Sequence, residues 1–132
     1  EIHTDYIINR PKYTQSVPVL VLSLSFPIAE RIKKHNPNAS IWEITIDTPN
    51  PDFLKSKQQL YDFGRQVERL LDEITKASNN HPLHLYLSVP VACAIEFGRV
   101  WMQKANCPLK IYDLDKQVDN IDRLAITIEN KK

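Results

Sequence analysis

Apolar positions along this 132-residue chain follow two different periods. Residues 17–26, VPVLVLSLSF, are apolar and β-branched almost without interruption, the pattern of a strand buried on both faces. Residues 40–48, SIWEITIDT, predict a second strand, closed by the Pro49 and Pro51 loop. From Ser56 the period changes. Leu60, Phe63, Val67, Leu70, Leu71 and Ile74 recur at helical spacing behind a Ser56/Gln59 capping-box pair, which predicts a helix to about Ala77. Residues 82–89, 108–114 and 123–129 predict three more strands, and residues 90–105 a helix between the first two of these. Pro27 suits the first position of a short helix to about His35, because its missing N–H would have no partner there; Asn36-Pro37-Asn38 stops that helix. Residues 1–16 are polar, contain Pro11, and read as a linker or as one irregular strand at Tyr6 to Ile8.

Strands alternating with helices imply right-handed crossovers and a largely parallel sheet. The last strand follows its neighbour without a helix and is expected antiparallel at an edge. The expected fold is therefore α/β, a Rossmann-like three-layer sandwich with a mainly parallel, five-stranded sheet.

One hexapeptide pattern occurs twice, as Leu24-Ser25-Phe26-Pro27-Ile28-Ala29 and as Leu87-Ser88-Val89-Pro90-Val91-Ala92, each time closing a strand and opening a helix. In a flavodoxin-like strand order both copies would stand at the switch point, where open α/β sheets bind ligands and free helix amides favour phosphate. The competing explanation is that serine and proline are common at helix starts. Both readings stay open at this point.

Composition narrows the chemistry. Hydrophobic residues make up 42% and charged ones 25%, the globular range, and 132 residues fill one ordinary domain. With 17 basic and 16 acidic residues the net charge is +1, which argues against long DNA or RNA as a partner and leaves a small anion possible. No apolar run reaches the ~20 residues of a membrane span, and no signal peptide is visible. Two cysteines, Cys93 and Cys107, without metal-ligand spacing, read as reduced core thiols of an intracellular, cytoplasmic protein. The chain starts at Glu1, which reads as a piece of a longer protein.

The two glycines, Gly64 and Gly98, both fall inside helices, so neither a Walker loop nor a Gly-x-Gly-x-x-Gly turn exists. Ser88 stands where a receiver domain would need its phosphoacceptor aspartate. His81 and His84 flank Pro82 at the wrong end of their strand for acid, base or metal work, and no Ser-His-Asp set converges. Arg99 lies about nine residues into its helix, where it either reaches a ligand or pairs with Glu96. Arg31, Lys33 and Lys34 form a solvated face or add phosphate attraction. Asp47 reads as an exposed strand-end acid, Tyr112 as a base-stacking or packing residue, and Trp42 and Trp101 as packing residues. The inventory is that of a binder.

The block HLYLSVPVACAIEFGRVW from His84 to Trp101, followed by PLKIYDLD from Pro108 to Asp115, resembles the second half of a SAVED domain. VLVLSLS at Val19 to Ser25 and the helix from Ser56 fall where that half would have them. SAVED domains consist of two fused halves similar to the CARF sensors of type III CRISPR systems. The family binds cyclic oligonucleotides and switches on an anti-phage effector, as in CBASS defence. The resemblance implies a CARF-like half-domain over residues 17–132, preceded by the irregular segment 1–16. It implies a cyclic tri- or tetranucleotide held over Ser23, Ser25, Phe26 and Pro27 on one turn and Ser88, Val89 and Pro90 on the other, with Arg99 and Tyr112 as helpers. No cofactor, metal or catalytic residue is implied. The other half, a fused or associated effector and a ligand-induced oligomer would be its partners. A ring-nuclease-like enzyme cleaving the same ligand and a purely structural interaction domain are the competing functions.

Overall fold

The alternation of strands and helices is realised in the computed structural model, which describes residues 4–78, 81–104, 108–113 and 123–128. Along the chain these form β1 (Ile7–Asn9), β2 (Pro18–Ser23), α1 (Ala29–His35), β3 (Ser40–Thr45), α2 (Lys57–Ser78), β4 (Leu83–Ser88), α3 (Val91–Lys104), β5 (Leu109–Asp113) and β6 (Arg123–Ile128). One six-stranded sheet runs in the order β1-β3-β2-β4-β5-β6. The four inner strands are parallel, and β1 and β6 are antiparallel at the two edges. The five expected strands are all present, with the last antiparallel at an edge.

The additional strand comes from the N-terminal segment, where Ile7, Ile8 and Asn9 pair with Thr45, Ile44 and Glu43. Side-chain contacts fasten this segment. Asn9 Nδ2 donates to the buried Glu43 carboxylate at 2.7 Å, Tyr6 donates its hydroxyl proton to the Gln59 carbonyl at 2.7 Å, and Arg10 binds Glu73 through two nitrogens at 2.7 and 2.8 Å.

Side chains alternate between the two faces of a strand, and the sheet separates two apolar clusters. On one face Leu20, Leu22, Trp42, Ile44 and Leu85 meet Phe63, Val67, Leu70 and Ile74 of α2 and Phe97, Val100 and Trp101 of α3. On the other, Val19, Val21 and Tyr86 meet Ile28, Ala29 and Ile32 around α1. Helices on both faces make the three expected layers. A Cβ at Gly64 would meet the Glu96 side chain of α3, with its Cδ and Cγ at 3.1 and 3.2 Å, so that side chain would have to shift.

The capping box also forms. Gln59 N–H donates to Ser56 Oγ at 3.1 Å, and Ser56 N–H donates to Gln59 Oε1 at 2.8 Å. Two boundaries differ from expectation. β2 ends at Ser23 instead of continuing to Phe26, and α1 begins at Ala29, with Ile28 as its N-cap, so Pro27 stands before the helix and not at its first position. The cause lies in the first turn itself.

Candidate functional site

β2 and β4 are hydrogen-bonded neighbours in parallel, and their last residues, Ser23 and Ser88, are register partners. Both copies of the duplicated turn therefore leave the same edge of the sheet side by side, at the switch point. They leave it differently. The N–H groups of Leu24 and Ser25 both donate to the Ser88 carbonyl, at 2.9 and 2.8 Å, and residues 24–26 bend away from the ladder. Ser23, two residues before Ser25, the pattern equivalent of Ser88, is therefore the register partner of Ser88, and α1 starts only at Ala29.

The first turn is cross-linked. Thr45 donates its hydroxyl proton to the Ser23 carbonyl at 2.7 Å, Asn50 N–H donates to the Leu24 carbonyl at 3.0 Å, and Ser23 Oγ lies 3.5 Å from the Ile28 nitrogen, at the limit of a hydrogen bond. Ser23 and Ser25 are buried, whereas Phe26 is 41% exposed beside them. On the second turn Pro90 donates nothing and its carbonyl accepts from Cys93 and Ala94 at 2.9 and 3.1 Å, so α3 starts directly behind it. The amides of Val91 and Ala92 precede the first intrahelical bond and stand at the positive end of a 14-residue helix. Val91 is 76% exposed there. Phe26 and Val91 are thus exposed apolar residues on the first and second turns respectively.

The structure brings Ser23, Ser25, Phe26, Pro27, Ser88, Val89 and Pro90 to one edge. It sets two other candidates apart. Arg99 is held on the exposed side of α3 by Glu96, through Nε at 3.0 Å and Nη2 at 2.5 Å, and this hydrogen bonding raises its pKa above the ordinary arginine value. Tyr112 pairs with Tyr86, two residues short of Ser88, and stacks on it with ring centroids 4.7 Å apart. Its hydroxyl is 2.7 Å from His84 Nδ1, and the His84 ring stacks at 5.5 Å. Burial, with Lys110 nearby, pushes the His84 pKa below the usual histidine value. These three rings face a cavity by the strand starts, away from the crevice.

Lys33 of α1 lies 3.7 Å from Glu30. Asp47 is exposed after β3, and Trp42 and Trp101 are both buried. Cys93 is a free thiol under the first turn of α3, pushed up to about 12 by burial and by Glu96, so at neutral pH it is protonated and a poor nucleophile. Cys107 lies outside the described residues. Among the described residues no group of three His, Cys, Asp or Glu could hold a metal ion, and no helix is long and apolar enough to cross a membrane. What this edge presents is two adjacent turns, the free amides at the head of α3 and the half-buried Ser88.

Comparison with known proteins gives the same direction. The model of the SAVED family, described as "SMODS-associated and fused to various effectors sensor domain", matches residues 3–121. Among solved structures, the Acinetobacter baumannii Cap4 SAVED/CARF-domain containing receptor with the cyclic trinucleotide 2'3'3'-cAAA matches with a TM-score of 0.66 at 13% identity, covering 98% of this chain and 28% of that one. The same receptor with 3'3'3'-cAAA matches with a TM-score of 0.65 at 12% identity over 98% of this chain and 27% of that chain. At these identities the likeness is one of fold. The chain spans little more than a quarter of the receptor's length. No curated protein matches it.

Proposed function

We propose, from the premise that this chain belongs to the SAVED family of sensor domains, that it binds a cyclic oligonucleotide across the crevice formed by residues 23–27 and 88–90. The observation that carries this reading is the pairing of Ser23 with Ser88 on adjacent parallel strands, which sets two strand-to-helix turns over one opening. Phosphates of the ring would lie over the α3 amides and the Ser88 hydroxyl, where the helix dipole favours negative charge. Phe26 and Val91 would carry apolar contacts with the bases.

The Cap4 receptor is described with two cyclic trinucleotides, and a ring of that size is the ligand to test first, with a cyclic tetranucleotide beside it. A ring of three or four phosphates presents more anionic groups than two turns can engage. The remainder of a longer polypeptide, including a second half-domain and an effector, would then close over the ligand. If contacts span that junction, ligand favours the joined state by its differential affinity, and the sensor becomes a switch. The domain itself acts by binding, and any chemistry belongs to the effector.

Radiolabelled 2'3'3'-cAAA, 3'3'3'-cAAA and a cyclic tetranucleotide, incubated with this chain and with the longer protein, provide the test. Retention of an intact ring is the expected result, tighter on the longer protein and accompanied by a change in its sedimentation. Linearised product would make the domain a cleaving enzyme. No retention by either protein would reduce the two turns to helix caps.

A further inference from the structure

On its α1 side the sheet is covered by one helix of seven residues, and beside that helix lies a cavity of about 760 Å³. The cavity opens at the strand starts, between Val17 of the β2 entry, Asn38 of the loop after α1, Pro82 before β4, and the rings of His84, Tyr86 and Tyr112. Strands of six residues, at ~3.3 Å per residue, put this opening roughly 17 Å from the crevice at their other ends. We propose that this cavity is a second binding site, for an uncharged planar heterocycle of nucleobase or nucleoside size.

Its volume lies within the range of small-molecule sites. Among the described residues the lining includes no Lys, Arg, Asp or Glu; Lys110, which acts on His84, stands outside it, so a ligand in the cavity meets no carboxylate, ammonium or guanidinium in its walls. Val17, Pro82 and the faces of the aromatic rings supply apolar wall, and Gln15, Ser16, Asn36, Asn38 and His81 supply polar groups around it. His84 Nδ1 is engaged with the Tyr112 hydroxyl at 2.7 Å, which leaves Nε2 as the ring atom able to bond a ligand. The Asn38 amide at the exposed lip offers a donor and an acceptor. Flat apolar faces bordered by uncharged hydrogen-bonding side chains suit a neutral heterocycle, which has apolar faces and polar edges.

The site is also preformed. Tyr86, 2% exposed, forms its floor and is locked by the stack on Tyr112, with an interplanar angle of 11°. Val17 is the one exposed large hydrophobic among the lining residues. A hollow of this kind suits a small ligand better than a protein surface, which would need a broader apolar patch.

Titration of adenosine into the isotope-labelled chain, followed by amide NMR, tests this assignment, with adenosine monophosphate as the charged comparison. Saturable shifts at residues 36–39 and 82–86 are expected, with the monophosphate at least ten-fold weaker. Asn38→Trp, which blocks the lip from an exposed position, and His84→Gln should each weaken adenosine at least ten-fold while the remaining spectrum stays folded. Absence of saturable shifts, shifts confined to residues 24–28 and 88–92, or equal affinity for the monophosphate would overturn the proposal.

Discussion

Gln59 ties the N-terminal segment, the loop before α2 and the helix start into one unit, and replacing it with leucine should remove about 3 kcal/mol of stability. The side chain is 3% exposed and spends its whole hydrogen-bonding capacity. Its Oε1 accepts from the N–H groups of Lys55 and Ser56 at 2.5 and 2.8 Å, and its Nε2 donates to the Phe53 carbonyl at 3.0 Å and Thr4 Oγ1 at 2.8 Å. Leucine keeps the volume and loses all four bonds. At ~1 kcal/mol each the upper figure is ~4 kcal/mol, and the partly exposed partners recover some of that by bonding to water. For a domain of this size the melting temperature should fall by roughly 12 °C. Urea and thermal unfolding followed by far-UV circular dichroism would measure the change, with the urea slope unaltered if the unfolded state is unchanged. A loss below ~1 kcal/mol would refute the reasoning, because it would mean that these four groups are already satisfied by solvent.

Ser88→Glu places a carboxylate at the end of β4, before the positive end of α3, where it repels phosphate. Cyclic trinucleotide retention should vanish while the unfolding midpoint holds or rises. His84, whose pKa burial and then Lys110 depress, stays neutral in the fold while the unfolded chain takes up a proton near pH 6.5. Its contribution is fully present above that value and is lost as pH falls toward the lowered folded pKa. The stability difference between wild type and His84→Gln should therefore change below about pH 6.5, and a constant difference from pH 8 to pH 5 would contradict this. Cys93, pushed up to about 12, should resist a thiol reagent at pH 8 in the native protein and react readily in urea. Fast native modification at Cys93, located by peptide mapping, would show that the α3 packing is wrong.

The duplicated turn was legible because the β-branched run VPVLVLSLSF, bounded by turn signals, has the pattern of a strand buried on both faces, and the order of such strands follows from connection rules. The meeting of the two copies at one edge followed from that order. Their two-residue offset was not legible. It depends on the Ser88 carbonyl accepting two donors from a strand more than sixty residues away, a contact that exists only once β2 and β4 are adjacent. β1 was legible only as one of two readings, a linker or an irregular strand at Tyr6 to Ile8. Three residues carry no periodicity, and their place in the sheet is set by the long-range bonds of Tyr6, Asn9 and Arg10. Tyr112 showed a different limit. Its position near the end of β5 was readable, but the direction of its ring was fixed by Tyr86 and His84 across the ladder.

Hydrogen exchange measured by mass spectrometry, with and without 2'3'3'-cAAA, tests the central claim most directly. A ligand seated across both turns should protect peptides covering residues 24–30 and 88–94 together, because the α3 amides and the bent first turn would be covered in one event. Peptides covering residues 15–19 and 36–39, at the other end of the strands, should exchange at unchanged rates. Protection confined to that other end, or to one turn alone, would contradict a crevice shared between β2 and β4.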